Sequence, residues 1–239
     1  MRPPASTRSF SSRTSHCASP WDQTLEPTQV AGFNQFFDDA TATETWVYGG
    51  AIDQKFGSRV FGGVEYSGRD LTIPYTEFRP DTGPTVLDTD GKEKVFRAYA
   101  LAAPYEVLTF SAEYQYEDLT RNADLALPYQ KVKTSRVPMS VRYFHRSGFS
   151  AFVQATYLKQ DGQFLTFDEM GNNVYIPGQK DFWVVDAALR YRLPRRYGFL
   201  VAGVNNLTDE KSTYQATDAR NLSITPGRVV YGRVVLAFP

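Results

Sequence analysis

Trp183-Val184-Val185-Asp186-Ala187-Ala188-Leu189-Arg190-Tyr191-Arg192-Leu193 is the stretch whose reading decides the fold. Alternate residues Trp183, Val185, Ala187, Leu189, Tyr191 and Leu193 are apolar, while Asp186, Arg190 and Arg192 occupy the positions between. Successive side chains of a strand point to opposite faces, so this run has one oily face and one charged face. A helix would scatter the two arginines around its circumference. Working outward, the same period recurs in Leu108–Glu117, where Leu108, Phe110, Ala112, Tyr114 and Tyr116 oppose Thr109, Ser111, Glu113, Gln115 and Glu117. It recurs in Phe149–Tyr157, in Val60–Arg69 and in Arg136–Tyr143, where Arg142 falls on the polar side. Trp46–Phe56 and Val229–Phe238 read as further strands, and the runs near Val30, Phe96 and Leu200 as strands of ambiguous facing. The total is about ten strands, each near the ~9–11 residues that cross a bilayer at a tilt.

The gaps between these runs sort by length. Gly57-Ser58-Arg59, Pro104-Tyr105-Glu106, Arg146-Ser147-Gly148 and Pro194-Arg195-Arg196 are short, and they alternate with long segments at about 70–94, 118–134, 160–181 and 209–227. Tight periplasmic turns and longer extracellular loops are the asymmetry of outer-membrane barrels. The expected fold is therefore all-β: an antiparallel up-and-down transmembrane barrel segment, part of a larger barrel, placed in a bacterial outer membrane.

Composition agrees. The mean hydropathy of −0.39 is too polar for a helical membrane bundle. No stretch reaches the ~20 consecutive apolar residues a transmembrane helix needs. Aromatic residues nonetheless make up 15% of the chain, which fits interfacial girdles. Lys plus Arg and Asp plus Glu balance at 26 each, which gives no electrostatic reason to expect nucleic acid. The one cysteine, Cys17, rules out an intrachain disulfide and any multi-cysteine metal site. Residues 1–24 are rich in Ser, Arg and Pro and lack the apolar core of a signal peptide. They read as a disordered leader or a misplaced start, and residues 25–239 as the barrel portion, a fragment of something longer.

Three short segments resemble those of one family. Val204-Asn205-Asn206-Leu207-Thr208-Asp209-Glu210-Lys211 is similar to the NNLFD-type segment before the last strand of TonB-dependent receptors, with Thr208 in place of the usual aromatic. Pro226-Gly227-Arg228 resembles the step into their closing strand, and Leu25-Glu26-Pro27-Thr28-Gln29-Val30 their L-x-P-E-x-V strand entry, with Thr28 in place of the acid. The resemblance implies a roughly 22-stranded barrel with an N-terminal plug that gates solute uptake. It further implies recognition by the barrel-assembly machinery through the last strand, which ends at Phe238, and contact with outer-membrane lipid.

No catalytic, metal or cofactor site is expected. His16 lies in the leader and His145 beside a short turn, and Asp88-Thr89-Asp90-Gly91 lacks the remaining calcium ligands and reads as an acidic turn. An unpaired arginine facing lipid would cost ~2–4 kcal/mol at the midplane, and a carboxylate less. Glu113, Glu117, Arg142, Asp186, Arg190 and Arg192 are therefore expected to line a lumen, with carboxylate–guanidinium ladders as their structural role. Tyr75, Phe78, Phe164, Phe167 and Tyr175 fall in the long loops as candidates for ligand contact or for packing loop against loop. A self-contained small barrel or porin, and a soluble ligand-binding β-protein, are the competing readings.

Overall fold

The structure is a computed structural model that describes residues 6–15, 25–30, 33–38, 42–79, 81, 83–122, 129–215, 222–224 and 227–237. In chain order the strands are β1 (Ser6–Ser15), β2 (Leu25–Val30), β3 (Phe33–Asp38), β4 (Glu44–Phe56), β5 (Val60–Arg79), β6 (Gly83–Tyr105) and β7 (Leu108–Arg121). They continue with β8 (Tyr129–Phe144), β9 (Phe149–Phe167), β10 (Asn173–Arg192), β11 (Gly198–Asn205), β12 (Thr213–Gln215), β13 (Leu222–Ile224) and β14 (Val229–Leu236). Nine of them, from β4 through β11 and then β14, form one antiparallel sheet in which each strand pairs with its neighbour in this series. β1 adds a tenth strand beside β4, and among the described residues the sheet is open, with β1 and β14 at its edges.

Burial in the sheet is one-sided. Val47, Leu71, Leu119, Val132, Leu158 and Phe182 are buried, as are the polar Glu65, Arg69, Glu93, Arg121 and Gln160. Strand parity and cross-strand register put all of these on one face. The opposite face carries large apolar side chains in the open: Val153 is 49% exposed and Leu189 51%. The alternation in the sequence thus becomes a polar, self-shielding inner face and an oily outer one. Aromatic rows bound the oily band. Tyr66, Phe96 and Tyr116 are successive cross-strand partners at its upper margin, as are Tyr157 and Trp183, whose rings lie 5.1 Å apart. Phe149 and Tyr191 pair at the lower margin. Eight residues separate Trp183 from Tyr191. At ~3.3 Å per residue this is about 26 Å along the strand, or roughly 18 Å vertically at a 45° tilt, so the two rows lie within the ~25 Å apolar band of an outer-membrane wall.

The short turns fall together at the lower end, as expected. Gly148, at φ 90°, closes the β8–β9 turn, and its carbonyl accepts the Arg192 backbone N–H at 2.8 Å. His145 sits at that turn, exposed, 2.8 Å from the Ser147 hydroxyl.

The upper end differs from the sequence reading. The segments expected as loops around 70–94, 118–134 and 160–181 are largely strand. β5 and β6 are 20 and 23 residues long and pair without interruption from Val60↔Ala102 to Arg79↔Gly83. Twenty residues extend about 66 Å, or roughly 47 Å vertically at a 45° tilt, well beyond the apolar band. The long gaps are therefore hairpins that project above the wall. Pro74, Pro84 and Pro177 obscure them in the sequence, because proline interrupts a strand pattern. Asp88-Thr89-Asp90-Gly91 is not a turn either: Asp88 pairs with Pro74 and Asp90 with Thr72.

Two further expectations are corrected. Ser6–Ser15, within the stretch read as a disordered leader, is a strand in register with β4 from Ser6↔Asp53 to Ser15↔Glu44. An edge strand needs only a partner's backbone groups, so its polar sequence carries no alternating signal. Leu25–Val30 is a strand, but its partner is β3 in a separate hairpin, so it does not enter the wall. The last long gap holds the small β12–β13 pair.

The β9–β10 hairpin shows how an upper tip is closed. The Asp168 carboxylate accepts the backbone N–H groups of Met170 at 2.9 Å and Asn172 at 2.8 Å, and the Asn172 side-chain amide at 2.9 Å. The Asn172 bonds are the main reason its pKa is lowered below the ordinary Asp value. A lowered carboxylate stabilises the turn above the unfolded pKa of about 3.9, and that contribution is lost as pH falls through the folded value. Amide exchange at Met170 and Asn172 is expected to be slow at neutral pH and to accelerate in acid beyond its intrinsic pH dependence. Asp168→Asn should show little of this pH response; an identical response in wild type and variant would remove Asp168 as the clasp.

Candidate functional site: the polar inner face

The inner face carries two charge networks, each built from inner-face residues of neighbouring strands that stand directly opposite or diagonally across one step of the register. In the upper one, Arg69 of β5, Glu93 of β6 and Arg121 of β7 meet. Arg69 Nη1 donates to Glu93 Oε2 at 2.6 Å, and Arg121 Nη2 donates to Glu93 Oε1. Their side chains are only 7%, 5% and 6% exposed. Gly91 makes room for this: a Cβ there would lie 2.9 Å from Arg121 Nη1. In the lower one, Arg97 makes a two-pronged pair with Glu113, Nη2 to Oε2 at 3.1 Å, and stands 3.9 Å from Glu65. Gln115 Nε2 donates to Glu113 Oε1 at 2.5 Å, and the Tyr99 hydroxyl donates to Asp53 Oδ1 at 2.6 Å. Farther round, Ser111 meets Ser140 at 2.7 Å, and Gln160 donates to Thr134 Oγ1 at 2.8 Å. A trough of about 790 Å³ runs over this network between Arg97, Glu113, Gln115, Arg136, Gln154 and Phe182.

In register with Glu93 the inner face also carries an apolar cluster. Leu119, Tyr129 and Val132 are fully buried, and Phe164 packs against them. The Phe164 ring also lies across Gly162 and Gly178, where an added Cβ would come within 2.9 Å of it. This glycine pair gives the aromatic ring a flat seat on the sheet.

The segment Val204–Lys211 forms a clasp. After β11 the chain turns through Asn206 at φ 51° and Asp209 at φ 56°. The Asn206 side chain, 3% exposed, spans the turn: Nδ2 donates to the Glu210 carbonyl at 2.7 Å and Oδ1 accepts the Glu210 N–H at 2.9 Å. Two bonds tie the turn to β10, from the Asn206 N–H to Asp186 Oδ1 at 2.8 Å and from the Leu207 N–H to the Val185 carbonyl at 2.7 Å. Asp209 Oδ1 accepts the Arg228 N–H at 2.8 Å, just before β14. The motif's residues thus hold three strands in register at their upper ends.

The expected site residues divide accordingly. Glu113, Glu117, Arg142, Asp186, Arg190 and Arg192 all take inner-face positions by register. Glu113 is in the lower network, and Asp186 belongs to the clasp. Arg142 lies over the Phe152 ring at 5.0 Å and Arg190 over the Phe199 ring at 4.0 Å. The five loop aromatics are strand residues: Tyr75 pairs with Leu87, Phe78 with Pro84, Phe164 with Ile176, Phe167 with Asn173 and Tyr175 with Leu165. They do not converge. Phe164 is packed in the apolar cluster, while Phe78 and Phe167 stand 79% and 70% exposed near separate tips. Sequence reasoning put Arg69 on the polar side of its strand but named no partner for it, and missed Glu93 and Arg121, because the segments at about 70–94 and 118–134 read as loops. The available signal was their shared parity with Arg97 and Glu113. Among the described residues no group of three or more His, Cys, Asp or Glu is placed to hold a metal. His16, Cys17 and Phe238 lie outside the described residues.

No protein-family model and no curated protein sequence matches the chain. Its fold superposes with a TM-score of 0.62 on two solved structures of Pseudomonas aeruginosa FpvA. One is a complex with a heterologous iron-bound pyoverdine, at 13% identity, and the other is described as the ferripyoverdine receptor of the outer membrane bound to ferripyoverdine, at 12% identity. In both cases 94% of this chain is covered, and the chain spans 30% of the receptor's length. The chain therefore has the fold of an outer-membrane barrel wall.

Removing one member of a buried ion network strands the others, at a cost of ~3–5 kcal/mol. Glu93→Gln is expected to lower the urea midpoint of the detergent-folded chain accordingly. Replacing the trio together by Arg69→Met, Glu93→Leu and Arg121→Met should recover most of the loss. Asn206→Ala removes the partner of the half-buried Glu210 N–H and carbonyl and should cost about 1–2 kcal/mol, with faster amide exchange at Leu207 and Glu210. Unchanged exchange there would dismiss the clasp.

Proposed function

We propose that this chain forms part of the wall of an outer-membrane receptor barrel of the TonB-dependent type, which takes up a solute across a bacterial outer membrane. The observation that carries the reading is the two-sided sheet. A continuous apolar band bounded by aromatic rows covers one face, and charges neutralised in networks cover the other. A soluble sheet has no use for Val153 and Leu189 half exposed on one face while Arg69 and Glu93 are buried on the other. The short lower turns, the tall upper hairpins, the three motif segments and the likeness to FpvA all support the same reading.

On this reading the inner face lines a lumen, and Glu113, Glu117, Arg142, Asp186, Arg190 and Arg192 contribute to its lining. Most of these charges neutralise or stack on neighbours, so their role is to hydrate and brace the interior rather than to select a solute. A plug of the kind found in the resembled family would seat against this face. The upper hairpins bearing Tyr75, Phe78, Phe167 and Tyr175 would face the incoming solute. β14 would serve the barrel-assembly machinery as the recognised last strand. The function is that of a receptor and conduit, not of an enzyme.

Adjacent positions on β9 give the test, because they lie on opposite faces. Val153→Arg puts a charge in the apolar band, at ~2–4 kcal/mol, whereas Gln154→Arg adds one to the polar face. Folding into lipid vesicles, followed by protease protection, should fail or slow for Val153→Arg and proceed for Gln154→Arg. Equal behaviour of the two variants, or a wild-type chain that stays soluble and monomeric without detergent, would defeat the reading.

A further inference from the structure

The outer face changes character immediately above the upper aromatic row. Two and four residues up β6 from Phe96, on the same face, stand Lys94 and Lys92. Across β7, Lys131 and Lys133 of β8 occupy the same height: Thr120 pairs with both Lys92 and Lys131, and Asp118 with both Lys94 and Lys133. Lys159 on β9 lies two residues above Tyr157. The lysines thus form a compact patch over β6–β9, at the level where the hydrocarbon ends.

Four aspartates, Asp70, Asp90, Asp118 and Asp161, share this face with the five lysines, but they pair with only two of them. Lys133 lies 4.0 Å from Asp118 and Lys159 lies 3.6 Å from Asp161. Asp70 stands opposite Lys92 in register without forming an ion pair with it. Among the described residues Lys92, Lys94 and Lys131 have no carboxylate in ion-pair range, and all three are exposed. Strands two apart are about 9.6 Å from one another. Lys92 and Lys131, one on each side of Thr120, are therefore spaced to close on a single tetrahedral anion between them. Lysine offers a flexible point charge suited to phosphate.

Resting on the membrane reading above, we propose that Lys92, Lys94 and Lys131, flanked by Lys133, form a binding site for the phosphate groups of membrane-lipid headgroups packed against the wall. The site's height and charge select this occupant. Its lower border is the aromatic row, where the acyl chains of a bound lipid would lie along Phe96, Tyr116 and the oily band beneath. Basic clusters at a membrane surface attract anionic headgroups in this way, and the attraction falls off within a Debye length.

The test uses the full chain folded in detergent and native mass spectrometry of retained lipid. The probes are a diphosphorylated lipid A and the same lipid after removal of its phosphates. Wild type should retain the phosphorylated form about tenfold better, at roughly fivefold per engaged lysine less screening. In the Lys92→Gln/Lys94→Gln/Lys131→Gln variant retention should fall to the level of the dephosphorylated lipid. The corresponding arginine variant should keep it, and Lys211→Gln in the β11–β14 connection should not alter it. Equal retention of the two lipids, or no loss in the glutamine variant, overturns the proposal. Displacement of the lipid by millimolar inorganic phosphate would assign the lysines to a free anion and likewise overturn it. Flotation of the chain with phosphate-free glycolipid vesicles separates the two levels. A chain that does not float defeats the membrane reading itself, whereas a chain that floats but shows no phosphate preference defeats only the lysine site.

Discussion

The interaction on which everything else depends is the series of antiparallel backbone ladders that joins β4 through β11 to β14. A polypeptide in hydrocarbon must satisfy its N–H and C=O groups internally, and a sheet achieves that only through its neighbours. Each strand from β4 to β11 is therefore held by two others, and side-chain choice is left free to make the faces different. The one visible gap in the β7–β8 ladder, between Ala112↔Met139 and Gln115↔Arg136, coincides with Pro138, which has no N–H to give. Register survives across it because the pairing resumes in phase.

Once the ladder sets parity, charge and oil separate without further instruction. Arg69, Glu93 and Arg121 meet because all three have the same parity on adjacent strands, and the same holds for Glu65, Arg97 and Glu113. Buried ion networks are weak sources of stability against apolar replacements. Their presence on a face that needs no charge for folding argues that the face must stay polar for use. The aromatic rows behave in the complementary way: they sit where the oily band stops, and lysines and aspartates take over within one or two rungs.

The upper half of the molecule follows a different logic. Beyond the apolar band the hairpins need no lipid-facing surface, so their alternation weakens and prolines and glycines enter. They stay ordered through local devices: the Asp168 clamp at one tip, the Phe164 ring on its glycine seat, and the Asn206 clasp that fastens β10, β11 and the start of β14. The clasp gives Asn206 and Asp209 of the Val204–Lys211 segment a structural role. Both adopt left-handed backbone that asparagine and aspartate tolerate, and both spend their side chains on backbone groups.

The sequence by itself determined the fold class, the up-and-down order of the central strands, the short lower turns and which face of each clear strand is polar. All of these follow from period-2 alternation and turn chemistry within a few residues. It did not determine where the hairpins end, since Pro74 and Pro177 break the local pattern while their strands remain paired. It placed the tenth strand near Val30, whereas the sheet takes Ser6–Ser15, a polar strand recruited by the free edge of β4 rather than by any pattern of its own. Only the tertiary structure assembled the Arg69–Glu93–Arg121 network, the clasp and the lysine patch, because each joins residues of different strands. Which of them meet is decided by cross-strand register, a property of the paired sheet that no single segment carries.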